Sequence, residues 1–432
     1  METISFLSRN DNDALSNLVF EALLPGLEHS VDEAVIAMET LTSAHEGLSD
    51  VLGMFESEPN LSVESMRYMR TAALNAVRPT GLTQSDILPS LEDNSASVVS
   101  RFKAALVRLW NAIKQAASRV WQFIKQAFAK SYSRHREIIR EISNARVVMT
   151  QQKSMLMVKR TLMATDAFAI LRKSSGLGLE FPTSFQSMEM HLKDFTTKRK
   201  MLMESYHTKL SATIKSIMRV VSGNVNLTDT STLNAIQEAT HRALQQFSMD
   251  SVLRSFPSAS FGRENDTATL PLTGGYHLSI NSAPPKNIDD PEFLNRAKSL
   301  TVDISQRADS FESVEMQAYT HAEIEQMLKV AEKLVLDISS GRMSDRAHRI
   351  EMDIEGYKKF IDQALKALSG VPDDAIDPTV REQARKVFNE QSSLVSAFTA
   401  WGGPVFLKME TLSLRTALGI VRLCQENLKN YK

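Results

Sequence analysis

Residues 101–130 read RFKAALVRLWNAIKQAASRVWQFIKQAFAK. Phe102, Leu106, Leu109, Ile113, Ala116, Val120, Phe123 and Ala127 recur at alternating steps of four and three, the spacing of one face of an α-helix. Trp110, Ala117, Trp121, Ile124 and Phe128 widen that face, and Lys and Arg fill much of the rest. Neither Gly nor Pro occurs between Ser97 and Ser175. As one helix that stretch would exceed roughly 100 Å, so two long helices are expected, with a break near Ser131-Tyr132-Ser133. Gly176-Leu177-Gly178 and Pro182 close it. The fold class predicted is mainly α: an elongated bundle of long helices with one inserted β-hairpin at about 268–281.

Upstream, residues 12–58 read as helices broken at Pro25-Gly26, and a short helix from Ser62 to Val77 stops before Arg78-Pro79. Residues 79–97, PTGLTQSDILPSLEDNSAS, are rich in breakers and small polar residues and read as a linker. Downstream, helices are expected at about 185–222 and 229–255, with Asp229 and Thr230 as capping candidates. Thr269–Leu272 and Tyr276–Ile280 flank Thr273-Gly274-Gly275 and predict the hairpin, with Pro271 confining its first strand to an edge. A lone hairpin is marginal in water and must pack on helices or a partner. Asp290-Pro291-Glu292 predicts a helix running to about Ser340-Gly341. Another is expected over roughly 345–369, a third from Asp377-Pro378, and a last one after Gly402-Gly403-Pro404. Four regions follow: 1–92 acidic and helical; 93–256 long helices, including a cationic helix over 98–131; 257–288 a loop with the hairpin; 289–432 a C-terminal helical region.

At 432 residues the chain is long enough for two or three structural units, and 43% hydrophobic with 23% charged residues is the balance of a folded protein. One cysteine, Cys424, excludes an intramolecular disulfide and a cysteine metal cluster, and reads as a small core residue. No apolar run approaches the ~20 residues of a membrane-spanning helix, and the Met-Glu-Thr-Ile-Ser start lacks a secretory pattern. A soluble chain is expected.

The net charge of −1 hides a segregation of sign. Residues 1–100 hold sixteen acids and four bases (Arg9, Arg67, Arg70, Arg78), a net of −12. Residues 101–136 hold nine bases and no acid: Arg101, Lys103, Arg108, Lys114, Arg119, Lys125, Lys130, Arg134 and Arg136. A switch this abrupt marks two parts with different tasks, or one that neutralises the other.

Three readings of the cationic helix compete. It is a bundle helix with solvated charges; or it binds a polyanion, either nucleic acid or the acidic N-terminal part, through its bases; or it lies in a membrane interface, where two Trp and a cationic face belong. Its aromatics share the apolar face, which disfavours base stacking. No arrangement of catalytic residues is legible. His321-Ala322-Glu323 is half a deaminase motif without its cysteine pair. Lys173-Ser174-Ser175-Gly176-Leu177-Gly178 has too few glycines for a phosphate loop, and no G-x-S-x-G occurs. The methionines at 149, 155, 157, 163, 188, 190, 201 and 203 read as core filling, with a Met-rich groove as the alternative. No enzyme activity, cofactor, metal or small-molecule substrate is expected.

This layout resembles the internal head proteins (inner-body and related virion proteins) of giant phiKZ-like tailed bacteriophages. The resemblance implies an N-terminal propeptide removed by a prohead protease, which cuts after the Glu of a small-x-Glu triplet. Ser90-Leu91-Glu92 fits that rule at the charge switch, so cutting there would leave a chain beginning at Asp93. The triplets ending at Glu46, Glu64, Glu180, Glu189 and Glu315 also fit. Proteases need an extended, accessible segment, which singles out Glu92; Glu189 and Glu315 are expected in helices, and the triplets ending at Glu64 and Glu180 stand as further candidate sites. The implied setting is the inside of the phage head, after synthesis in the host cytoplasm. The implied partners are the protease, other capsid or inner-body proteins, packaged DNA and further copies of the chain. An α-helical pore-forming or membrane-remodelling protein is the alternative.

Overall fold

The structure is a computed structural model. It describes residues 63–80, 96–175, 178–222, 229–247, 252–262, 267–281, 293–298, 300–306, 311–339, 342–369 and 376–432, with scattered helical positions between 37 and 54. Of these, 74% are helical. The chain divides into two compact units, Met1–Phe128 and Ala129–Lys432.

In the first unit, α1 spans Val63–Val77 and continues into a 3-10 turn at Arg78–Thr80. The proline that ends α1 thus sits one residue inside that turn. Met66, Met69, Ala73 and Val77 are buried at helical spacing. Ala37, Leu41, Ala44, Leu48 and Val51 repeat the pattern upstream, and a side-chain carbon added at Gly47 would lie 2.6 Å from the methyl of Ala76.

Helix α2 spans Ala96–Gln151 and contributes to both units. It is unbroken through Ser131-Tyr132-Ser133. Such residues cost a helix only a few tenths of a kcal/mol each, which does not stop it without Gly or Pro. It does end at Gln151, well before Ser175.

The second unit is built on α3 (Phe185–Ser222), α4 (Thr230–Gln246), α5 (Phe293–Lys298), α6 (His321–Ser339), α7 (Arg342–Ser369), α8 (Pro378–Trp401) and α9 (Gly403–Leu428). Several starts are those expected from sequence. Asp229 accepts from the Ser231 amide, and Asp377 accepts from the Thr379 amide with Pro378 in the first turn. Both carboxyls are held below their usual range, first by hydrogen bonding to the Ser231 and Thr379 side chains and then by these amides. The bundle packs α9 on α6, α7 and α8, α3 on α4 and α7, and α7 on α8. Helix α9 is buried around nearly its whole circumference, from Val405 and Phe406 to Cys424 and Leu428, as a helix apolar on all sides must be. Cys424 is a fully buried core residue whose thiol is pushed up by burial.

The expectation of a single hairpin is corrected. The hairpin exists, β5 (Thr267–Pro271) paired with β6 (Tyr276–Asn281), with Leu270 opposite Leu278. Gly274 and Gly275 both take positive φ in its turn, 64° and 78°, as a tight hairpin requires. It lies inside a four-stranded antiparallel sheet with β4 (Ser260–Phe261) and β7 (Thr301–Gln306), in the order β4-β5-β6-β7. So β5 is not an edge strand. Pro271 is tolerated because the two residues of β4 pair only with Ala268 and Thr269, leaving its outer side unpaired.

Two further ladders join β1 (Thr161–Ala164) to β8 (Val314–Gln317), and β2 (Lys173–Ser175) to β3 (Gly178–Glu180). The helix expected from Asp290 to Ser340 is therefore interrupted by β7 and β8; residues 290–292 lie outside the described ones. The triplet ending at Glu315 sits in a paired strand rather than a helix, whereas Glu189 is in α3 as expected.

The sheet docks on the helices. The Gly274 amide donates to the Arg172 carbonyl at 2.8 Å, and the Thr273 hydroxyl to that of Ile170 at 2.8 Å. A side-chain carbon at Gly274 would lie 2.9 Å from the Ile170 backbone, and one at Gly419 of α9 2.5 Å from an Ile170 methyl. The 3-10 turn Asp166–Leu171 is thus wedged between the hairpin turn and α9. Trp401 donates to the Leu300 carbonyl at 2.7 Å and Lys408 pairs with Asp303.

Candidate functional site

The apolar stripe read from the sequence is the buried face of α2 in the first unit. Phe102, Leu106, Leu109, Ile113, Ala116 and Val120 are all fully buried. The side chains of Phe123 and Ala127 lie outside the described residues. Outside this stripe the basic positions form two rows. At 100° per residue, an eleven-residue step returns to within about 20° of its starting direction. Positions 103, 114, 125 and 136 make one such row, and 108, 119 and 130 the other. The step along the axis is about 16 Å.

Lys103 and Arg136 are exposed, and Arg108 and Arg119 are half-buried. The Arg108 Nε donates to the Ala104 carbonyl at 3.3 Å, one turn back on its own helix. The side chains of Arg101, Lys114, Lys125, Lys130 and Arg134 are outside the described residues. So are Ser90, Leu91, Glu92 and Asp93, within residues 81–95 of the linker, whose ends at 79–80 and 96–97 are a 3-10 turn and the start of α2.

Past Arg136 the character of α2 changes. Ile138, Ile142 and Ala145 are buried in the second unit, and His135 meets Glu410 of α9 at 3.3 Å with both side chains inside. Arg146 grips Glu332 through two nitrogens, at 2.8 and 3.2 Å, and Glu325 at 3.2 Å, both on α6. The hydrogen bonds to Glu332 lead in raising the Arg146 pKa, and they hold Glu332 below its usual range. This base clamps the fold, and acids return to the helix at Glu137 and Glu141. The acid-free basic stretch therefore ends at Arg136.

Other polar contacts among the described residues join elements of the fold. Arg199 of α3, 2% exposed, holds Asp337 of α6 at 2.7 Å and reaches the Leu334 carbonyl. Tyr357, Gln391 and Thr240 link α7, α8 and α4 through buried contacts of 2.5 and 3.0 Å. The His321-Ala322-Glu323 triplet is explained by helix capping. Glu323 accepts from the Thr320 amide at 2.7 Å and Thr320 accepts from the Glu323 amide, a capping box at the start of α6. Among the described residues no group of three His, Cys, Asp or Glu is placed to hold a metal ion, and no helix is long and apolar enough to cross a membrane.

The methionines divide. Met188 and Met203 are core residues, while Met155, Met163, Met190 and Met201 are exposed. Core filling accounts for the first pair and not for the others.

No protein-family model matches this chain, and neither does any curated protein or any solved structure.

Proposed function

We propose that the chain is a non-enzymatic structural protein of a virion interior, made with an acidic N-terminal segment that a prohead protease removes after Glu92. The observation that carries this reading is the reversal of charge. A quarter of net −12 is followed, across a breaker-rich segment, by two rows of bases on one unbroken helix. The resemblance to internal head proteins supplies the setting: the phage capsid, with other capsid or inner-body proteins and packaged DNA as partners. Cutting after Glu92 removes fifteen acids and four bases. The remaining chain holds 46 bases and 36 acids, so its net charge moves from −1 to +10.

The physical role of the acidic segment is then a mask. Joined to the bases it competes with phosphate; once released it no longer does. The competing membrane-remodelling reading would use the Trp-bearing helix. It requires Phe102, Leu106, Leu109, Ile113, Ala116 and Val120 to leave a core in which they are fully buried, and it is the weaker for that.

Comparing the full chain with residues 93–432 for binding to duplex DNA tests the mask. The shorter chain is expected to bind at least roughly tenfold more tightly at low salt, with a steep loss as salt rises, since each neutralised phosphate steepens the log–log slope by about 0.9. Equal affinities at low salt would refute masking.

A further inference from the structure

The segment that follows α2 is unusual in what it leaves in solvent. Leu156 is 80% exposed, Val158 56% and Met155 41%. Lys153, Lys159 and Arg160 surround them and are exposed too. No acid occurs between Glu141 and Asp166.

This apolar tip is held rigidly. Leu156 and Lys432 exchange both amide–carbonyl hydrogen bonds, at 3.1 and 3.2 Å, and Val158 donates to the Asn430 carbonyl at 3.0 Å. The Lys159 amide donates to Asn430 Oδ1 at 3.0 Å, while Asn430 Nδ2 donates to the Lys159 carbonyl at 2.6 Å. The Met155 amide is taken by the Gln152 carbonyl. Beneath, Tyr431 stacks on His321 at 4.0 Å and donates to the Tyr319 carbonyl. Strand alternation puts Leu156 and Val158 on one face and half-buried Met157 on the other.

We propose that residues 153–160 form an interfacial anchor for an anionic lipid surface. Three features fit that occupant. Apolar side chains leave 41–80% of their surface to water. The amides of Met155, Leu156, Val158 and Lys159 are already satisfied inside the protein, so entering an apolar boundary strands none of these donors. The charged side chains within 153–160 are all basic, which complements an anionic headgroup layer and opposes a basic partner. Acids on adjoining elements include Glu315, opposite Met163 in the β1–β8 ladder, Glu426, which is paired with Lys429, and Glu323 of α6, whose charge acts on Tyr431. All three lie outside the 153–160 tip. This proposal does not depend on capsid processing, and it uses a surface other than the Trp-bearing helix.

The test is co-sedimentation of the full chain with phosphatidylglycerol–phosphatidylcholine vesicles against pure phosphatidylcholine. Binding to the anionic vesicles alone is expected. A base near an anionic surface strengthens binding roughly fivefold, so Lys159→Gln with Arg160→Gln should weaken it about 25-fold. Leu156→Ser should weaken it roughly tenfold. These side chains are exposed, so circular dichroism and the unfolding midpoint should not change. No binding to either vesicle overturns the proposal. So does binding that all three substitutions leave intact, which would assign it to another surface. A concentration-dependent increase in mass that Leu156→Ser abolishes, without vesicle binding, would make the tip a contact between copies and equally overturn it.

Discussion

Lowering the pH should weaken the second unit through one histidine. His191 of α3 lies 3.1 Å from the Thr273 hydroxyl, whose proton is committed to the Ile170 carbonyl, so the ring Nε2 is the donor. Burial is the largest influence on this ring. Lys173 and Lys198 add to it, Asp194 and the Arg172 backbone oppose it, and together they lower the pKa from 6.5 to about 4. The folded state thus resists a proton that the unfolded chain accepts near 6.5. Stability is unaffected above that value, falls as pH drops between 6.5 and about 4, and levels off below. The full window corresponds to about 3 kcal/mol. The assay is urea unfolding, from neutral pH down through this window, followed by Trp401 fluorescence with Trp110 and Trp121 replaced by phenylalanine. His191→Gln keeps a donor for Thr273 but cannot titrate. The gap between the two proteins should therefore narrow by about 3 kcal/mol as the pH falls. Parallel curves across the window would refute the assignment.

Asp337→Asn should cost about 2–3 kcal/mol, because it leaves the buried guanidinium of Arg199 without its countercharge while Asp337 itself remains partly solvated. Arg199→Met, which removes the charge and keeps the bulk, should cost less; urea midpoints of the two variants check the order. Gly274→Ala should destabilise by about 2–5 kcal/mol, from a positive φ and from contact with the Ile170 backbone at 2.9 Å. Thermal unfolding would read this, and an unchanged midpoint would mean that the hairpin turn is not wedged against Asp166–Leu171.

Helix starts were the most legible part of the fold, because a capping acid followed by proline, or a Gly-Gly-Pro break, acts locally. Asp229, Asp377-Pro378 and Gly403-Pro404 each stand where the structure uses them. The stripe from Phe102 to Val120 was legible for the same reason: its period lies within one element. Strands β1 and β8 were not, since residues 161–164 find their partners at 314–317 and neither run is long enough to show alternation alone. Strand β7 did carry a signal, the alternating Thr301, Val302 and Ile304, but it fell inside the span assigned to helix from Asp290-Pro291 onward. The end of α2 at Gln151 has no breaker in sequence; it is followed by an extended segment that hydrogen-bonds to Asn430 and Lys432 and bridges Tyr431, about 270 residues away along the chain. In the candidate site, the bases could be named from sequence, but not which were already engaged. Arg146 is committed to Glu325 and Glu332, partners about 180 residues away along the chain. The exposed apolar tip at Leu156 was hidden because the same letters serve equally for a core.

Intact-mass measurement with N-terminal sequencing of the protein taken from its native particle would test the processing itself. A chain beginning at Asp93 is the predicted result and would make residues 1–92 a removable acidic mask. A chain that still begins at Met1 would contradict it, and the acidic quarter would then be a permanent part of the fold.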